Sequence, residues 1–252
     1  MLALERRNAI IESLNVDGKV LVSELSKRFD VTDETIRRDI VSLEKDGFAT
    51  RTYGGAISNV LPQTDLPYNI RKKVNVDEKQ YIAERVASTI KDGDSIMCDA
   101  SSTAIYVIRK IKQKKNITVI TNSVEILLEL GDKPGWTILS TGGTLKEGAF
   151  SLFGSSALKM IEDHHVNVAI CSAKGIDARM GITDSNEKDA EMKRAIFSQA
   201  DKRILVLDST KFDKISFVKV SDISMVDVIA TDKDPGETWN KRLSDYGIEL
   251  LN

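Results

Sequence analysis

Five short clusters of hydroxyl, amide, acidic and glycine residues stand out because each directly follows an apolar run. They begin at positions 99, 121, 141, 172 and 208. Hydroxyls and backbone N–H groups at helix starts bind anions, and nearby lysines add positive charge. Asp99 and Asn122 instead suit the hydroxyl groups of a sugar. The residues predicted to bind such a ligand are Asp99, Ser101, Ser102, Thr103, Thr121, Asn122, Ser123, Gly142, Gly143, Lys146, Lys174, Lys193 and Lys211.

Each cluster taken alone has a simpler interpretation, because Ser, Thr, Asp and Asn are the usual N-caps of helices. For any one loop, capping is the favoured role, and Gly142 and Gly143 are also suited to forming a turn. Asp184 and Glu187 flank another predicted helix start, where capping is again the expected role. Five polar loops at one edge of a sheet nevertheless favour a ligand site.

A second group of residues has the chemistry of nucleic-acid binding. In a predicted helix that runs to about Lys45, Ile36, Ile40 and Leu43 form a buried stripe at about 100° per residue. Hydroxyl and guanidinium groups suit phosphate oxygens and the acceptors of guanine in the major groove. The outward-facing residues of this kind are Thr35, Arg37, Arg38, Ser42 and Lys45.

The total charge of this region does not by itself indicate a nucleic-acid partner. Residues 1–57 carry nine Lys or Arg and ten Asp or Glu, a net charge of −1. The alternative is therefore that Arg37, Arg38 and Lys45 only solvate the helix, as charged faces usually do. Glu34 is the one acid on the outer face, four residues before Arg38. The distribution of charge and the order of the elements favour DNA binding.

The elements around this helix follow the order helix, helix, turn, helix and β-hairpin, which is typical of a winged helix-turn-helix domain over residues 1–57. Ser23 is predicted as the N-cap of the second helix and Thr32 as the N-cap of the third. A glycine-bearing hairpin follows Gly47. The predicted DNA contacts are Ser23, Thr32, Thr35, Arg37, Arg38, Ser42, Lys45, Arg51 and Tyr53.

Pro62 and Pro67 mark residues 58–67 as an extended linker. From 68 to 252, apolar runs alternate with amphipathic helices, which predicts an α/β domain with a mostly parallel sheet covered on both faces. The C-terminal ends of such strands converge on a ligand crevice. The predicted strands are 95–99, 118–121, 136–140, 168–171, 203–208 and 226–231, and the helices between them include 104–112, 124–130, 187–199 and 237–246.

The segments 32–40 and 51–56 together resemble the DNA-binding signature of the DeoR family of bacterial transcription regulators. The Thr-Ile-Arg-Arg-Asp-Ile core and the Arg-x-Tyr-Gly-Gly wing have the spacing of that family. The resemblance implies a repressor of a sugar or polyol catabolic operon, whose third helix enters the major groove. It makes Thr35, Arg37 and Arg38 the main contacts with double-stranded operator DNA.

The polar clusters of the second part are similar to the successive motifs of the DeoR sensor domain, so the resemblance extends from about Leu4 to Leu251. That domain is similar in fold to ribose-5-phosphate isomerase, glucosamine-6-phosphate deaminase and coenzyme A transferases. The resemblance implies a phosphorylated sugar as the effector. Two departures lie beside the expected pocket: Ser101 and Asp213 stand where the family commonly has glycine.

Composition and motifs exclude several classes of function. The net charge is −2, and no apolar run approaches the roughly 20 residues that span a bilayer. The N-terminus lacks the layout of a signal peptide, so a cytoplasmic protein without a membrane partner is expected. With two cysteines and only the adjacent His164 and His165 beside them, a Cys/His zinc site is not expected, and no glycine-rich nucleotide loop occurs. Neither a metal nor a cofactor is expected.

Two classes of function remain open. The first is a ligand-controlled repressor that forms a homo-oligomer, a dimer or higher, because operators are usually paired half-sites matched to protein symmetry. The second is a sugar-phosphate isomerase or deaminase with an appended DNA-binding or interaction arm. An enzyme needs a positioned acid and base, and Asp99, Asp184 and Glu187 form no constellation that specifies chemistry. We therefore expect a regulator rather than an enzyme.

Overall fold

A computed structural model describes residues 3–58 and 68–252 of the chain. The chain forms two compact units, Met1–Asn75 and Val76–Asn252. Residues 59–67, which make up most of the predicted linker, lie outside the described residues. The division between the units falls a few residues beyond that linker, because Val74 packs against the hydrophobic core of the first unit.

The first unit has the predicted order of a winged helix-turn-helix domain. Its three short strands form an antiparallel sheet in the order β1-β3-β2. The elements are α1 (Ala3–Asp17), β1 (Lys19–Leu21), α2 (Val22–Phe29), α3 (Asp33–Lys45), β2 (Ala49–Thr52), β3 (Gly55–Ser58) and α4 (Tyr68–Arg71).

Local sequence sets both ends of α3. At its start the Thr32 hydroxyl accepts a hydrogen bond from the Thr35 N–H at 3.3 Å, which confirms Thr32 as the N-cap. Just beyond its end, Gly47 adopts φ 82°, a conformation that favours glycine. The inner stripe of Ile36, Ile40 and Leu43 is buried, as expected, in the core of this unit.

The prediction that Ser23 caps the second helix is wrong. Helix α2 begins one residue earlier, at Val22, and its N-cap is Leu21, whose side chain cannot accept a hydrogen bond. Val22 and Leu25 are buried, so the packing of apolar side chains positions the helix start. Ser23 is exposed in the first turn.

The second unit is built around a seven-stranded parallel sheet. The strand order is β15-β14-β12-β9-β4-β5-β6, and every neighbouring pair is parallel. Its elements in chain order are α5 (Val76–Thr89), β4 (Ser95–Cys98), α6 (Ala104–Lys110), β5 (Thr118–Thr121), α7 (Val124–Leu130), β6 (Thr137–Ser140), β7 (Thr144–Lys146), β8 (Ser151–Phe153), α8 (Ser155–Glu162), β9 (Val166–Cys171), β10 (Gly175–Asp177), β11 (Gly181–Asp184), α9 (Glu187–Ser198), β12 (Ala200–Val206), β13 (Val218–Ser221), β14 (Val228–Ala230), α10 (Glu237–Asp245) and β15 (Glu249–Leu251).

Two separate hydrophobic clusters cover the faces of this sheet, which confirms the predicted sandwich of helices around parallel strands. Successive strand residues alternate between the clusters: Met97 and Ala169 belong to one, and Ile96 and Val168 to the other. The six predicted strands are all present. The seventh, β15, is a three-residue edge strand whose length and Glu249 give no strand signal.

Short antiparallel strands add to the carboxyl edge of the parallel sheet. Strands β7 and β8 form a hairpin, and β10, β11 and β13 form a three-stranded sheet. Sequence patterning predicts none of them, because runs of three or four residues are too short to show a usable alternation. Ser151 of β8 pairs with Ser123 in the loop after β5, and Ile176 of β10 pairs with Phe212, beyond the loop after β12, so these strands join neighbouring polar loops.

The wing of the first unit gives a test of the fold. A Cβ at Gly55 would lie 1.8 Å from the Val20 carbonyl oxygen, whereas a Cβ at Gly54 would have no atom within 4 Å. Gly55→Ala is therefore expected to destabilise this unit by about 2 kcal/mol or more, and Gly54→Ala by less than about 0.5 kcal/mol. Thermal unfolding followed by circular dichroism compares the two. Equal melting temperatures would contradict the strand pairing described here.

Candidate DNA-binding face and effector site

The outer face of α3 carries three exposed cations, Arg37, Arg38 and Lys45. Arg38 Nε lies 3.3 Å from Glu34 Oε1, the pairing that the four-residue spacing predicts. Both side chains are largely exposed, so the ion pair orients the guanidinium without withdrawing it from solvent. This face can therefore present cationic donors to an anionic partner.

The two hydroxyls predicted on this face are already engaged within the protein. Ser42 Oγ accepts a hydrogen bond from Arg7 Nη1 at 2.8 Å, which ties α3 to α1. The Thr35 hydroxyl lies 2.9 Å from that of Thr32, and both contribute to the start of α3. Below them, Arg6 Nε donates to Asp39 Oδ2 at 2.5 Å in a buried ion pair. These contacts fix how α3 is rotated about its axis.

The two predicted DNA contacts of the wing, Arg51 and Tyr53, have different surroundings. Arg51 Nε lies 2.5 Å from Glu44 Oε2, and the Arg51 backbone N–H donates to Glu44 Oε1 at 3.0 Å. The backbone hydrogen bond from Arg51, more than the nearby positive charge, lowers the pKa of Glu44. Tyr53, at the tip between β2 and β3, is fully exposed at 103%. A whole tyrosine ring in solvent is a ready contact surface.

In the second unit, Asp99 connects two of the polar loops. It follows β4, and its Oδ1 accepts from the Ser101 N–H at 3.1 Å. Its Oδ2 accepts from the Ser172 N–H at 3.2 Å and from Lys193 Nζ at 2.5 Å. The loops after β4 and β9 are thus held together by one buried carboxylate.

Lys193 lies between two buried carboxylates. Its Nζ is 2.5 Å from Asp99 Oδ2 and 3.3 Å from Asp184 Oδ2. Burial alone would lower the pKa of Lys193, but the charges of Asp99 and Asp184 outweigh it and hold the pKa well above its usual value. Lys193 is therefore a charged structural group rather than a free phosphate-binding cation.

The expected capping role of Asp184 is wrong. Asn186 is the N-cap of α9, since its side chain accepts from the Asp189 N–H at 3.0 Å. Asp184 lies earlier, at the end of β11, and bonds Lys193 and the Ser185 N–H instead. A lysine seven residues after the cap gives no sequence signal for this contact, because the partners come from different elements.

The loop after β4 divides its hydroxyls between capping and open positions. Ser101 Oγ accepts from the Ala104 N–H at 3.1 Å, which is a capping contact. Ser102 and Thr103 are buried residues, yet their hydroxyls make no hydrogen bond with any described part of the chain. Those two hydroxyls are available to a ligand.

The loop after β5 shows the same division. Thr121 Oγ1 donates to the Cys98 carbonyl at 2.8 Å, and Ser123 Oγ caps α7 by accepting from the Ile126 N–H. Asn122 Nδ2 donates to the Leu152 carbonyl at 3.1 Å. Asn122 is only 4% exposed, and its Oδ1 has no hydrogen-bond partner among the described residues. Of the three, Asn122 alone keeps an unsatisfied group.

Gly142 and Gly143, after β6, have different roles. Both adopt positive φ, 64° and 102°. A Cβ at Gly143 would lie 2.5 Å from the Phe153 carbonyl oxygen, so glycine is needed there for close packing of β8. A Cβ at Gly142 would meet no atom within 4 Å, which leaves its backbone open to a ligand.

The remaining predicted cations are dispersed. Lys146 Nζ pairs with Asp189 Oδ2 at 2.8 Å. Lys174 is half-buried in the loop after β9. Lys211 is half-buried in the turn after β12 that Asp208 caps, and it makes no ion pair within the described ranges. Lys211 is thus the predicted cation best placed to meet an incoming anion.

Other chemistries find little support within residues 3–58 and 68–252. No group of three or more His, Cys, Asp or Glu side chains there is arranged to hold a metal ion. Cys98 and Cys171 are free and buried, and burial raises the pKa of both thiols. No helix in these ranges is both long and apolar enough to cross a bilayer.

The fold and these residues together define a class: a transcription regulator with a winged helix-turn-helix domain and an α/β sensor domain. Residues 6–60 match the DeoR-like helix-turn-helix domain, and residues 74–233 match the DeoR C-terminal sensor domain. The chain belongs to the DeoR family, as the signature in its first 57 residues predicted.

Similar proteins span nearly the whole chain. An uncharacterized HTH-type transcriptional regulator, YulB of Bacillus subtilis, is 38% identical over 99% of this chain and 96% of its own. The HTH-type transcriptional regulator GolR of Listeria innocua is 33% identical, covering 99% and 98%. The glycerol-3-phosphate regulon repressor of Escherichia coli is 30% identical, covering 98% and 97%.

Solved structures share part of the fold at low identity. The ribose 5-phosphate isomerase A of Methanocaldococcus jannaschii is 15% identical with a TM-score of 0.40, covering 55% of each chain. The delta subunit of eIF2B from Chaetomium thermophilum is 17% identical with a TM-score of 0.47, covering 64% of this chain and 57% of its own.

The Lys193 cluster gives a direct test of the site's geometry. Lys193→Met leaves Asp99 and Asp184 buried without their cation, so we expect a loss of about 3–5 kcal/mol in the free energy of unfolding. Adding Asp184→Asn removes one of the two uncompensated charges and is expected to restore part of that loss. Urea unfolding measures both variants. A loss below about 1 kcal/mol for Lys193→Met would contradict the buried cluster.

Proposed function

We propose that this protein is a DNA-binding repressor of a sugar or polyol catabolic operon, and that a phosphorylated sugar bound to the second unit controls it. The observation that carries the proposal is the exposed cationic face of α3 in a DeoR-like helix-turn-helix domain, in the same chain as a DeoR sensor domain. A relative named as a glycerol-3-phosphate regulon repressor supports both parts of the proposal, repression of the operon and a phosphorylated effector.

In this proposal α3 lies in the major groove. Arg37 and Arg38 are exposed and have donors suited to guanine, while Lys45 neutralises a phosphate. Tyr53 at the wing tip contacts the backbone or minor groove. Thr32, Thr35, Ser42 and Arg51 add contacts only with donors that their internal hydrogen bonds leave free. Ser23, exposed in the first turn of α2, contacts a phosphate.

The effector site lies at the carboxyl edge of the parallel sheet. Within residues 3–58 and 68–252, the hydroxyls of Ser102 and Thr103 have no hydrogen-bond partner and Lys211 has no ion pair. These three suit the phosphate of the effector. Asn122 Oδ1 suits a donor hydroxyl on the sugar, and Gly142 allows close approach of the ligand to the backbone. Asp99 and Lys193 position these loops, as do Ser101, Thr121 and Ser123.

The proposed organisation places the DNA-binding domain in residues 1–57, a linker in 58–67 and the sensor domain in 68–252. Residues 68–75 of that last range group with the first compact unit. The sensor domains assemble a homo-oligomer, since paired half-sites require matched copies of the first domain. A DNA-binding role places the protein in the cytoplasm with the genome.

An enzymatic function is the second candidate, because acidic residues and a lysine meet at the sheet edge, as in a general acid–base site. The observed contacts disfavour it. Both oxygens of Asp99 already accept hydrogen bonds, and Lys193 is held charged between two carboxylates. Turnover of ribose 5-phosphate or glucosamine 6-phosphate by the purified protein would establish the enzymatic function instead.

Replacement of Arg38 by alanine tests the DNA contact. If Arg38 reads a base edge, Arg38→Ala is expected to weaken operator binding by about 1–3 kcal/mol, roughly 5- to 150-fold, because a bidentate pair is lost. Fluorescence anisotropy with a labelled promoter fragment measures the effect. Lys159→Ala, which removes an equally exposed cation from α8, is the matched control and should leave affinity unchanged. Unchanged binding by Arg38→Ala would remove it from the contacts.

Removal of the two open hydroxyls tests the effector site. A thermal-shift screen with glycerol 3-phosphate, ribose 5-phosphate, fructose 6-phosphate and glucosamine 6-phosphate identifies a stabilising compound. The Ser102→Ala/Thr103→Val variant is expected to bind that compound at least about tenfold more weakly, since two hydrogen bonds to a charged group are lost. Ser156→Ala, an exposed position on α8, is the control. Equal shifts in all three proteins would exclude these hydroxyls from the site.

A further inference from the structure

The hairpin of β7 and β8, residues 144–153, lies on the loop after β5. The Leu152 N–H donates to the Asn122 carbonyl at 2.8 Å, and the Val124 N–H donates to the Phe150 carbonyl at 2.9 Å. Between these bonds, Ser123 faces Ser151 as an isolated antiparallel pair. The hairpin thus covers the segment that contains Asn122.

The covered group is polar and unsatisfied. Asn122 Nδ2 donates to the Leu152 carbonyl of the hairpin, while Asn122 Oδ1 is shielded from solvent and has no partner among the described residues. A carboxamide oxygen buried without a donor has lost its hydration without compensation, which disfavours the closed arrangement. A closed hairpin therefore holds a group that a ligand hydroxyl would satisfy.

The hairpin has few other attachments. Apart from the bonds to residues 122–124, its two strands pair only with each other among the described strands, and Thr144, Leu145 and Glu147 are exposed. Gly143 and Gly154, which flank it, both adopt positive φ. Segments with few packed contacts open locally at low free energy.

In the part of the chain that the structure describes, one ion pair attaches the hairpin to α9. Lys146 Nζ lies 2.8 Å from Asp189 Oδ2, and Asn186 Nδ2 donates to the same oxygen at 2.6 Å. Burial alone would raise the pKa of Asp189, but the charge of Lys193 and the hydrogen bond from Lys146 outweigh burial. The pKa of Asp189 is therefore lowered, and the carboxylate stays ionised at neutral pH. Lys188 adds a contact 4.1 Å from the centre of the Phe153 ring.

We infer that the 144–153 hairpin is a lid over the effector site, that the Lys146–Asp189 ion pair and the hydrogen bonds to residues 122–124 together hold it shut, and that it opens to admit the sugar part of the effector to Asn122. The inference deepens the proposed function and rests on it for the identity of the site. It gives Lys146 a role in gating instead of direct phosphate binding. The sequence alone predicts that Lys146 contacts the ligand.

Thiol labelling measures lid opening without DNA or ligand. Ser151 is buried under the closed hairpin, so the thiol of Ser151→Cys reacts with iodoacetamide only when the lid opens. Adding Lys146→Met should raise the labelling rate about fivefold or more. Adding Lys159→Met instead, which breaks an exposed pair with Asp163 on α8, should leave the rate unchanged. The buried Cys98 and Cys171 of the unsubstituted protein report global unfolding.

Three labelling results would overturn the lid. The first is a rate for Ser151→Cys as slow as that of Cys98 and Cys171, which means that the hairpin opens only on global unfolding. The second is the full rate of an exposed thiol, which means that the hairpin is not closed. The third is an equal rate with and without Lys146→Met. Because the assay contains neither operator nor effector, failure of the proposed function does not alter its outcome.

A reversible lock tests whether opening admits the ligand. Ser123 and Ser151 form a non-hydrogen-bonded antiparallel pair, a geometry with Cα atoms about 4.5 Å apart that accepts a disulfide. In the Ser123→Cys/Ser151→Cys protein, glycerol 3-phosphate and ribose 5-phosphate are the probes. We expect a thermal shift with the reduced form and none with the oxidised form. Equal shifts in both forms would contradict gating by the hairpin.

Discussion

The geometry of the sensor unit depends on the buried ammonium of Lys193. It lies between Asp99, which follows β4, and Asp184, which ends β11, while its own backbone belongs to α9. Asp99 in turn accepts N–H groups from the loops after β4 and β9. Four chain segments thus meet at one charged contact. A buried charge stays compensated only while all its partners remain in place, so this contact fixes the relative positions of the loops that surround the site.

A second buried ion pair has the same function in the first unit. Arg6 Nε on α1 lies 2.5 Å from Asp39 Oδ2 on α3, and both side chains are buried. The pair flanks the apolar stripe that contains Ile40. Together with the stripe, the pair decides which side chains of α3 reach solvent. Arg37 and Arg38 face outward because Asp39 and Ile40, the next two residues, are held inward. The cationic face is therefore a consequence of how α3 is anchored.

Much of the fold could be predicted from the sequence because its signals are local and repeated. Apolar strands separated by capped helices gave the parallel sheet, and Thr32 gave the start of α3. The role of each residue within a polar cluster, capping a helix or facing a ligand, was harder to predict. Ser101 and Ser123 cap helices while Ser102 and Asn122 keep open groups, a difference that depends on backbone geometry within one loop. Neither the Lys146–Asp189 pair nor the Asp184–Lys193 pair has a sequence signal, since long-range partners are set by tertiary packing.

Binding of the full-length protein to the promoter region of its own operon tests the account most directly. Fluorescence anisotropy at several salt concentrations would compare that fragment with a scrambled fragment of equal length. We expect at least about a thousandfold preference for the promoter fragment and an affinity that falls steeply with salt. Equal affinity for the two fragments at every salt concentration would contradict it.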